Sequence, residues 1–382
     1  LPDRAGHTGT RAALIMPEGS ATSWCTVHRD RISKNLELAL GLVPDGRRFC
    51  AVLKADAYGH GIAQVLPLLR EQGVSTIGFT SNAEAHAIRK AGFDGTLIRL
   101  RSASPQEINE ALDSQVEEQV ATTATARQLR GLKDEGRYRA GVHLALNVEG
   151  MSRDALEIST ARGQDICREI LEILPEGIRG ICSHFPSNEP DQLRQSSDRF
   201  QQQADWVFTN SDPKRSETLV HAGSSLTLIS EVDVETDMYR CGAILYGILR
   251  PDLGFRPTMD LKARVISLQD DPRGRSVGYD RAGRLERDCR LACISIGYEN
   301  GFRRIAQDSS VVAVRDRLVP VLGKISMNAI GADVTGITDV AGGDTGGGVG
   351  EGGGGRVHPK RRGRHVGNQQ AAQQDRTHTI RR

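Results

Sequence analysis

Between residues 49 and 250 the sequence switches repeatedly between two hydrophobic periods, and that alternation leaves few folds open. Short apolar, β-branched runs lie at 49–54, 76–79, 96–100, 118–121, 142–147, 178–184, 218–222 and 239–246. Amphipathic stretches of helical period separate them, at 62–71, 83–91, 105–112, 125–134, 164–174 and 192–207, several opened by a Ser or Thr in the capping position. Eight strand–helix units in roughly 200 residues fit a closed (β/α)8 TIM barrel better than an open doubly wound sheet. The first strand–helix turn carries no Gly-x-Gly-x-x-Gly, which argues against a dinucleotide fold.

After Pro257 the helical period disappears, and runs at 262–268, 290–296, 310–314 and 319–322 read as antiparallel strands with polar turns. The expected organisation is an N-terminal extension at 1–22, a barrel at 23–257 whose first residues 23–28 join the second domain, and a C-terminal all-β domain at 258–340. From Ala341 the pattern collapses: residues 341–382 hold twelve glycines, eight Lys/Arg against three Asp/Glu, and almost no large apolar side chain. A segment of that composition buries too little apolar surface to offset its ordering entropy. Residues 341–382 are therefore expected to be a disordered tail, leaving the β-domain incomplete.

Composition excludes several function classes. Of 382 residues 26% are charged, and no apolar run approaches the ~18 residues a membrane span needs, so no membrane is expected as a partner. A net charge of +2 gives no electrostatic footprint for nucleic acid; removing the basic tail leaves 42 Lys/Arg against 45 Asp/Glu. Seven cysteines show no Cys-x-x-Cys and no zinc spacing, so no metal is expected.

The chemistry concentrates in Ala51-Val-Leu-Lys-Ala-Asp-Ala-Tyr-Gly-His60, where a lysine ends an apolar run just as a strand would break into a loop. Partial desolvation there lowers a lysine's pKa and makes it a Schiff-base nucleophile. Walking the other strand ends gives Arg153, His184, Ser224 and Arg240. Singly these read as a surface charge, a satisfied core histidine, a loop hydroxyl and a rim ion pair. Gathered at one barrel mouth they make a cationic, hydroxyl-rich pocket suited to an anionic cofactor such as a phosphate ester.

The ten-residue string resembles the pyridoxal-phosphate (PLP) lysine motif of the alanine racemase family, and the resemblance extends from about Ser23 to Val340. It implies that Lys54 carries PLP. Tyr58, Ser224 of His221-Ala-Gly-Ser-Ser225 and the backbone amides of Gly242 and Ala243 would hold the phosphate. Arg240 would face the pyridine nitrogen, with His184 of Ser183-His-Phe185 bonded behind it. An arginine there leaves the ring largely unprotonated, which favours reprotonation at the α-carbon over transamination or decarboxylation. Tyr279 of Ser276-Val-Gly-Tyr-Asp280 matches the second base, which in this family comes from the partner subunit of a dimer. Arg153 of Gly150-Met-Ser-Arg153 would receive the substrate carboxylate. Tyr298 of Gly297-Tyr-Glu-Asn-Gly301 matches a gate residue, and Met327 and Asn328 of Ser326-Met-Asn328 would line the substrate side.

Three departures point within the family to amino-acid racemases of broad specificity. The string Asn147-Val-Glu-Gly-Met151 is one residue longer than the Asp-Thr-Gly-Met of alanine-specific members, Ala145 stands where a lysine is usual, and Met327-Asn328 replaces Met-Asp. The resemblance thus implies racemisation of lysine, arginine and alanine among others by a homodimer with shared active sites. An alanine-specific racemase and an inactive PLP-binding relative disabled by the altered C-terminus are the alternatives. A fold-related decarboxylase is disfavoured by Arg240, and a single-domain PLP-binding protein by the β-domain and Tyr279. Residues 1–22 lack the charged start and apolar core of a secretory signal. Relatives of the broad-specificity type are nevertheless exported, which implies the periplasm, with the cytoplasm as the alternative, and a disulfide between Cys25 and Cys50, which flank the first predicted helix.

Overall fold

The computed structural model describes residues 21–151, 153–175, 178–210, 214–304, 310–347 and 357–359. They divide into two compact units, one spanning 27–259 and one combining the residues before Val27 with those after Met259.

The first unit is a parallel barrel. Helix α1 (Arg29–Gly41) precedes strand β2 (Arg48–Val52), and a short turn, α2 (Lys54–Tyr58), leads into α3 (Ile62–Glu71). Then follow β3 (Thr76–Phe79), α4 (Asn82–Lys90), β4 (Thr96–Ser102), α5 (Pro105–Glu110), β5 (Val116–Val120), α6 (Thr123–Asp134), β6 (Val142–Ala145), α7 (Ala161–Ile173), β7 (Ile178–Cys182) and α8 (Pro190–Thr209). The last turn of the barrel is β8 (Leu219–His221), β9 (Gly223–Ser224), α9 (Ser225–Leu228) and β10 (Met238–Cys241). The hydrogen-bonded order is β8-β7-β6-β5-β4-β3-β2-β10-β9. β8 and β9 are one run of chain interrupted at Ala222: its first half pairs with β7 and its second with β10, and this nearly closes the ring.

Local sequence explains the helix starts. Ser81 and Glu84 form a reciprocal capping box on α4, Ser104 and Glu107 form another on α5, and Thr122 and Thr160 cap α6 and α7. Each such cap contributes about 1 kcal/mol. The apolar stripes of the helices pack on the strands in two clusters, one around Leu36, Leu66, Ile77 and Phe79 and one around Leu129, Leu144, Ile170 and Phe200. No helix among the described residues is long and apolar enough to cross a membrane.

The second unit is all β. Strand β1 (Ser23–Val27) lies beside β11 (Met259–Asp271), followed by the two-stranded hairpin β12 (Ser276–Val277) and β13 (Gly283–Arg284), then β14 (Cys289–Ile294), β15 (Ser310–Val314), β16 (Arg317–Leu322), β17 (Ile330–Asp333), β18 (Thr345–Gly347) and β19 (Val357–Pro359). The order β11-β14-β17-β16-β15-β18 returns to β11 through the pairs Lys262↔Gly347, Ala263↔Gly346 and Arg264↔Thr345. This corrects the expectation of an incomplete domain ending at Val340. Residues past Ala341 close the sheet, and Val357–Pro359 adds a strand on β15. Composition misleads here because ladder pairing needs only backbone groups. A methyl on Gly346 would come within 3.2 Å of Ile294 Cδ1, so the bare glycine fits under that side chain. Asp344 fixes the approach by accepting from Arg315 Nε at 2.9 Å and from the Ala341 amide at 3.0 Å. Residues 1–20, 348–356 and 360–382, which hold most of the expected extension and tail, lie outside the described residues.

Candidate active site

Strand β2 stops at Val52, two residues short of the expected end, and Lys54 opens a turn of unusual hand. Ala55, Asp56, Ala57 and Tyr58 have φ of 54°, 53°, 55° and 56°, four consecutive non-glycine residues in the left-handed region. Such residues cost roughly 1–2 kcal/mol each, so surrounding bonds must impose the turn. Glu84 supplies one of them: its carboxylate accepts from the Ala55 amide at 2.7 Å, and it is itself held by the amides of Thr80 at 2.8 Å and Ser81 at 3.1 Å. Asp56 accepts from the Ile62 amide at 2.8 Å, tying the turn to the start of α3. The capping motif Ser81-x-x-Glu84 was legible in sequence; the second use of Glu84, on the lysine's turn, was not.

The turn places Lys54 Nζ 5.7 Å from the centroid of the Tyr58 ring, which packs in turn against Tyr246 at 4.8 Å. Burial, and after it the charge of Arg153, pulls the Lys54 ammonium below its ordinary pKa, with Glu84 opposing. Desolvation raises the Tyr58 phenol, which stays protonated. Both shifts suit the expected roles, a lysine able to become neutral and a phenol able to donate.

Arg240 on β10 is buried beside this mouth. Its Nη1 donates to His221 Nδ1 and to the His221 carbonyl, both at 2.8 Å, and its Nη2 donates to the Ser183 carbonyl at 2.7 Å. The histidine bonded behind Arg240 is therefore His221, not His184. Both rings follow strand ends, but β8 stops at His221 with its ring turned toward Arg240. His184 serves instead as a gauge of the local field. Burial first, then the charges of Arg240, Arg153 and Lys54, hold its imidazole down to about 3. Three cations thus act on one partly buried ring.

Gly242 adjoins Tyr58, and Ser224 and Ser225 lie on the strand end beside β10. A methyl on Gly242 would stand 2.5 Å from Tyr58 Oη, so glycine is the condition for the phenol to lie there. Ser224 caps α9, and the Gly242 amide donates to Ser225 Oγ at 3.0 Å, which gives it an internal partner beyond the expected phosphate role. Ala243 follows, partly buried. A site of clustered cations, a protonated phenol, serines and a glycine cradle fits an anionic, phosphate-bearing aromatic cofactor such as PLP.

Arg153 is exposed on the loop after β6, and its neighbours set the loop. Asp154 accepts from the Ser102 amide at 2.7 Å, and Asn147 Nδ2 donates to Glu157 at 2.9 Å. The extra residue of this string is absorbed by a left-handed pair, Glu149 at φ 51° and Gly150 at φ 93°. That turn lets Glu149 accept from Ser196 Oγ at 3.2 Å and pair with Arg199 at 3.2 Å, both on α8.

The remaining expected residues belong to the all-β unit. Tyr279 sits between β12 and β13 and is 62% exposed, and Asp280 beside it pairs with Lys324. Tyr298 and Met327 occupy neighbouring loops: the Tyr298 amide donates to the Ser326 carbonyl at 3.2 Å and the Glu299 amide to the Met327 carbonyl at 2.9 Å. Met327 and Asn328 are exposed. The expected Cys25–Cys50 bridge is not formed. Both are free thiols, Cys25 exposed on β1 and Cys50 buried on β2 among Ile98, Leu100 and Met238, where burial raises its pKa to about 12.

Comparison with known proteins agrees with the two-unit fold. Residues 27–250 match the family profile of the alanine racemase N-terminal domain, and residues 258–364 that of the C-terminal domain. The chain is 35% identical over 344 residues to a broad specificity amino-acid racemase of Pseudomonas putida, covering 90% of this chain and 83% of the relative. It is 33% identical over 335 residues to a lysine racemase of Proteus mirabilis, covering 88% and 82%. The alanine racemase of Bartonella henselae, solved with covalently bound pyridoxal phosphate, superposes with a TM-score of 0.74 at 24% identity, covering 86% of this chain and 91% of that one. Two domain profiles spanning most of the sequence, on a barrel with a lysine turn and an all-β partner unit, place this chain in the alanine racemase family.

Proposed function

We propose that the protein is a PLP-dependent amino-acid racemase of broad specificity, accepting lysine, arginine and alanine. The observation that carries this reading is Lys54, shifted toward neutrality on a glycine-free left-handed turn, with Arg240 and Arg153 as neighbouring cations. The cofactor, when bound, supplies an electron sink that acidifies the α-hydrogen of an attached amino acid. Lys54 Nζ both anchors the cofactor and moves a proton on one face of the α-carbon. When the cofactor is bound, Tyr58 Oη, Ser224 and the Gly242–Ala243 backbone would seat its phosphate, and Arg240 would face its ring nitrogen as a donor that keeps its proton. Arg153 receives the substrate carboxylate.

Racemisation needs a second base on the opposite face, and Tyr279 Oη is our assignment. Its exposure on a hairpin tip suits a group that completes the site of a second copy, so the active form is read as a homodimer, with Tyr298, Met327 and Asn328 near the substrate. Breadth of substrate is read from Ala145, where a lysine is usual, and from Asn328, where an acid is usual, which make the entry roomier and less acid-restricted. Purified protein should show a visible band from the lysine-linked cofactor, a dimer mass in sedimentation, and interconversion of D- and L-lysine, -arginine and -alanine. Activity confined to alanine would replace breadth with the alanine-specific reading, and cofactor binding without turnover would favour the inactive relative. A periplasmic location, with the cytoplasm as the alternative, rests on the resemblance to exported broad-specificity racemases; recovery of the protein with cytosolic markers on cell fractionation would overturn it.

A further inference from the structure

Behind Arg240 runs a line of buried polar groups that the racemase reading does not use. His221 Nε2 lies 2.9 Å from His143 Nδ1, and His143 Nε2 lies 2.8 Å from Glu117 Oε2. His143 and His221 are fully buried, while the Glu117 side chain keeps 15% of its surface exposed. The line therefore joins the cofactor mouth to a carboxylate that reaches solvent, across β10, β8, β6 and β5.

Hydrogen-bond logic fixes every proton on it. A guanidinium only donates, so His221 Nδ1 must be the acceptor for Arg240 Nη1 and a neutral ring must carry its proton on Nε2. That proton points at His143 Nδ1, which must then accept, so the His143 proton sits on Nε2 and is donated to the Glu117 carboxylate. A cationic His143 is excluded, because its Nδ1–H would require His221 to accept at both nitrogens. One assignment satisfies Arg240→His221→His143→Glu117 with no donor left facing a donor. Burial and the Arg240 charge hold the His221 imidazole well below its ordinary pKa, as a neutral link requires.

The backbone is shaped around this line. His143 and His221 are on strands that do not touch, since β7 lies between β6 and β8. The residue of β7 in register with His143 is Gly180, and a methyl there would stand 2.2 Å from His143 Nδ1. Gly180 is the gap through which the two rings meet.

We propose that His143 and Glu117 are positioning residues for racemisation, holding His221 so that the Arg240 guanidinium keeps its angle toward the cofactor's ring nitrogen. This rests on the reading of Arg240 given above. A negative charge at the outer end polarises each bond in the line and favours the fully cationic arginine at the inner end.

The test uses the holoenzyme labelled with 15N-histidine. Side-chain NMR near pH 7 should show both His143 and His221 protonated on Nε2 alone; an Nδ1–H form or a cation at either ring overturns the relay. Gly180→Ala cuts the link without removing a titratable group, and Glu117→Ala removes its outer end. Each should lower kcat about 10- to 100-fold with little change in KM and shift the visible band, the range seen when an orienting partner behind a functional group is lost. Glu117→Gln, which still accepts from His143, should recover most of the rate. If Gly180→Ala does not fold, the Glu117 pair decides alone, and a Glu117→Ala enzyme with parental kcat and band overturns the proposal. Arg240→Lys separates the two readings: an unmoved band would defeat the pyridine-nitrogen assignment, and the positioning role with it, while the parent's NMR pattern tests the relay itself.

Discussion

Lys54 and Tyr279, the two groups assigned to move protons, are presented by unlike structures. Lys54 stands on a turn clamped by a buried carboxylate and a capping aspartate, inside a nearly closed barrel, with its pKa pulled down by burial and Arg153. Tyr279 stands on a short hairpin tip, largely exposed, in the other unit, steadied by the Asp280–Lys324 pair one residue away. The barrel builds the environment of its base from its own residues, whereas the β-unit offers a phenol whose environment must come from elsewhere. A free phenol with a pKa near 10 is a poor base at neutral pH until nearby cations stabilise its phenolate. Under the proposed mechanism, the contrast separates the half of the site that the barrel builds from a half proposed to be completed by a second copy.

Four experiments break or sharpen that contrast. Lys54→Ala should abolish racemisation, by more than about 10,000-fold, because anchor and base go together, and the visible cofactor band should go with it. A mutant that keeps the band shows that another residue anchors the cofactor. Tyr279→Phe should slow racemisation by roughly 100- to 10,000-fold at unchanged cofactor content, since it deletes a proton-transfer group with little change of volume. A parental rate would return Tyr279 to the status of an exposed hairpin residue. Gly242→Ala forces the Tyr58 phenol from its place, and losing one hydrogen bond to a charged phosphate should weaken cofactor binding about 10- to 100-fold in an equilibrium titration. Parental affinity would remove Tyr58 from the phosphate seat.

A pH profile reads the burial and the charge around His184. His184 has a folded-state pKa near 3, below the ordinary 6.5, so between those values the unfolded chain binds a proton that the folded one refuses. Stability is then full above about pH 6.5 and falls as the pH drops toward 3, by up to about 1.4 kcal/mol per pH unit from this ring. Replacing it by Asn should flatten the urea-midpoint profile across that window. An unchanged slope would mean that burial and the neighbouring charges do not hold this ring's pKa down.

Much of this was legible in the sequence, for identifiable reasons. Strands such as Thr76–Phe79 and helices such as Ile62–Glu71 carry their own period, and capping residues such as Ser104 mark their own starts. Candidate site residues such as Lys54 and Arg240 were picked out through strand-end position and motif. What was hidden depends on partners distant in sequence. No glycine marks the left-handed run from Ala55 to Tyr58, and one of the bonds that hold it comes from Glu84, 29 residues from Ala55. His184 and His221 follow strand ends alike, and only barrel closure decides which ring meets Arg240. The glycine-rich run at 341–347 looked unfoldable because apolar content was taken as the measure, yet its backbone pairs with β11.

The left-handed turn also inverts a familiar rule of protein engineering. Glycine introduced into ordered backbone usually lowers thermal resistance, because it frees the denatured chain at a cost of roughly 0.5–1 kcal/mol. At Ala55 and Ala57 the folded backbone occupies the region glycine visits freely, so that loss is set against roughly 1–2 kcal/mol of relieved conformational energy at each position. Ala55→Gly is thus a route to a more heat-resistant enzyme, whereas Ala57→Gly would also remove a methyl that is fully buried in the core. The alanines that now stand there trade that durability for a stiffer platform under the lysine.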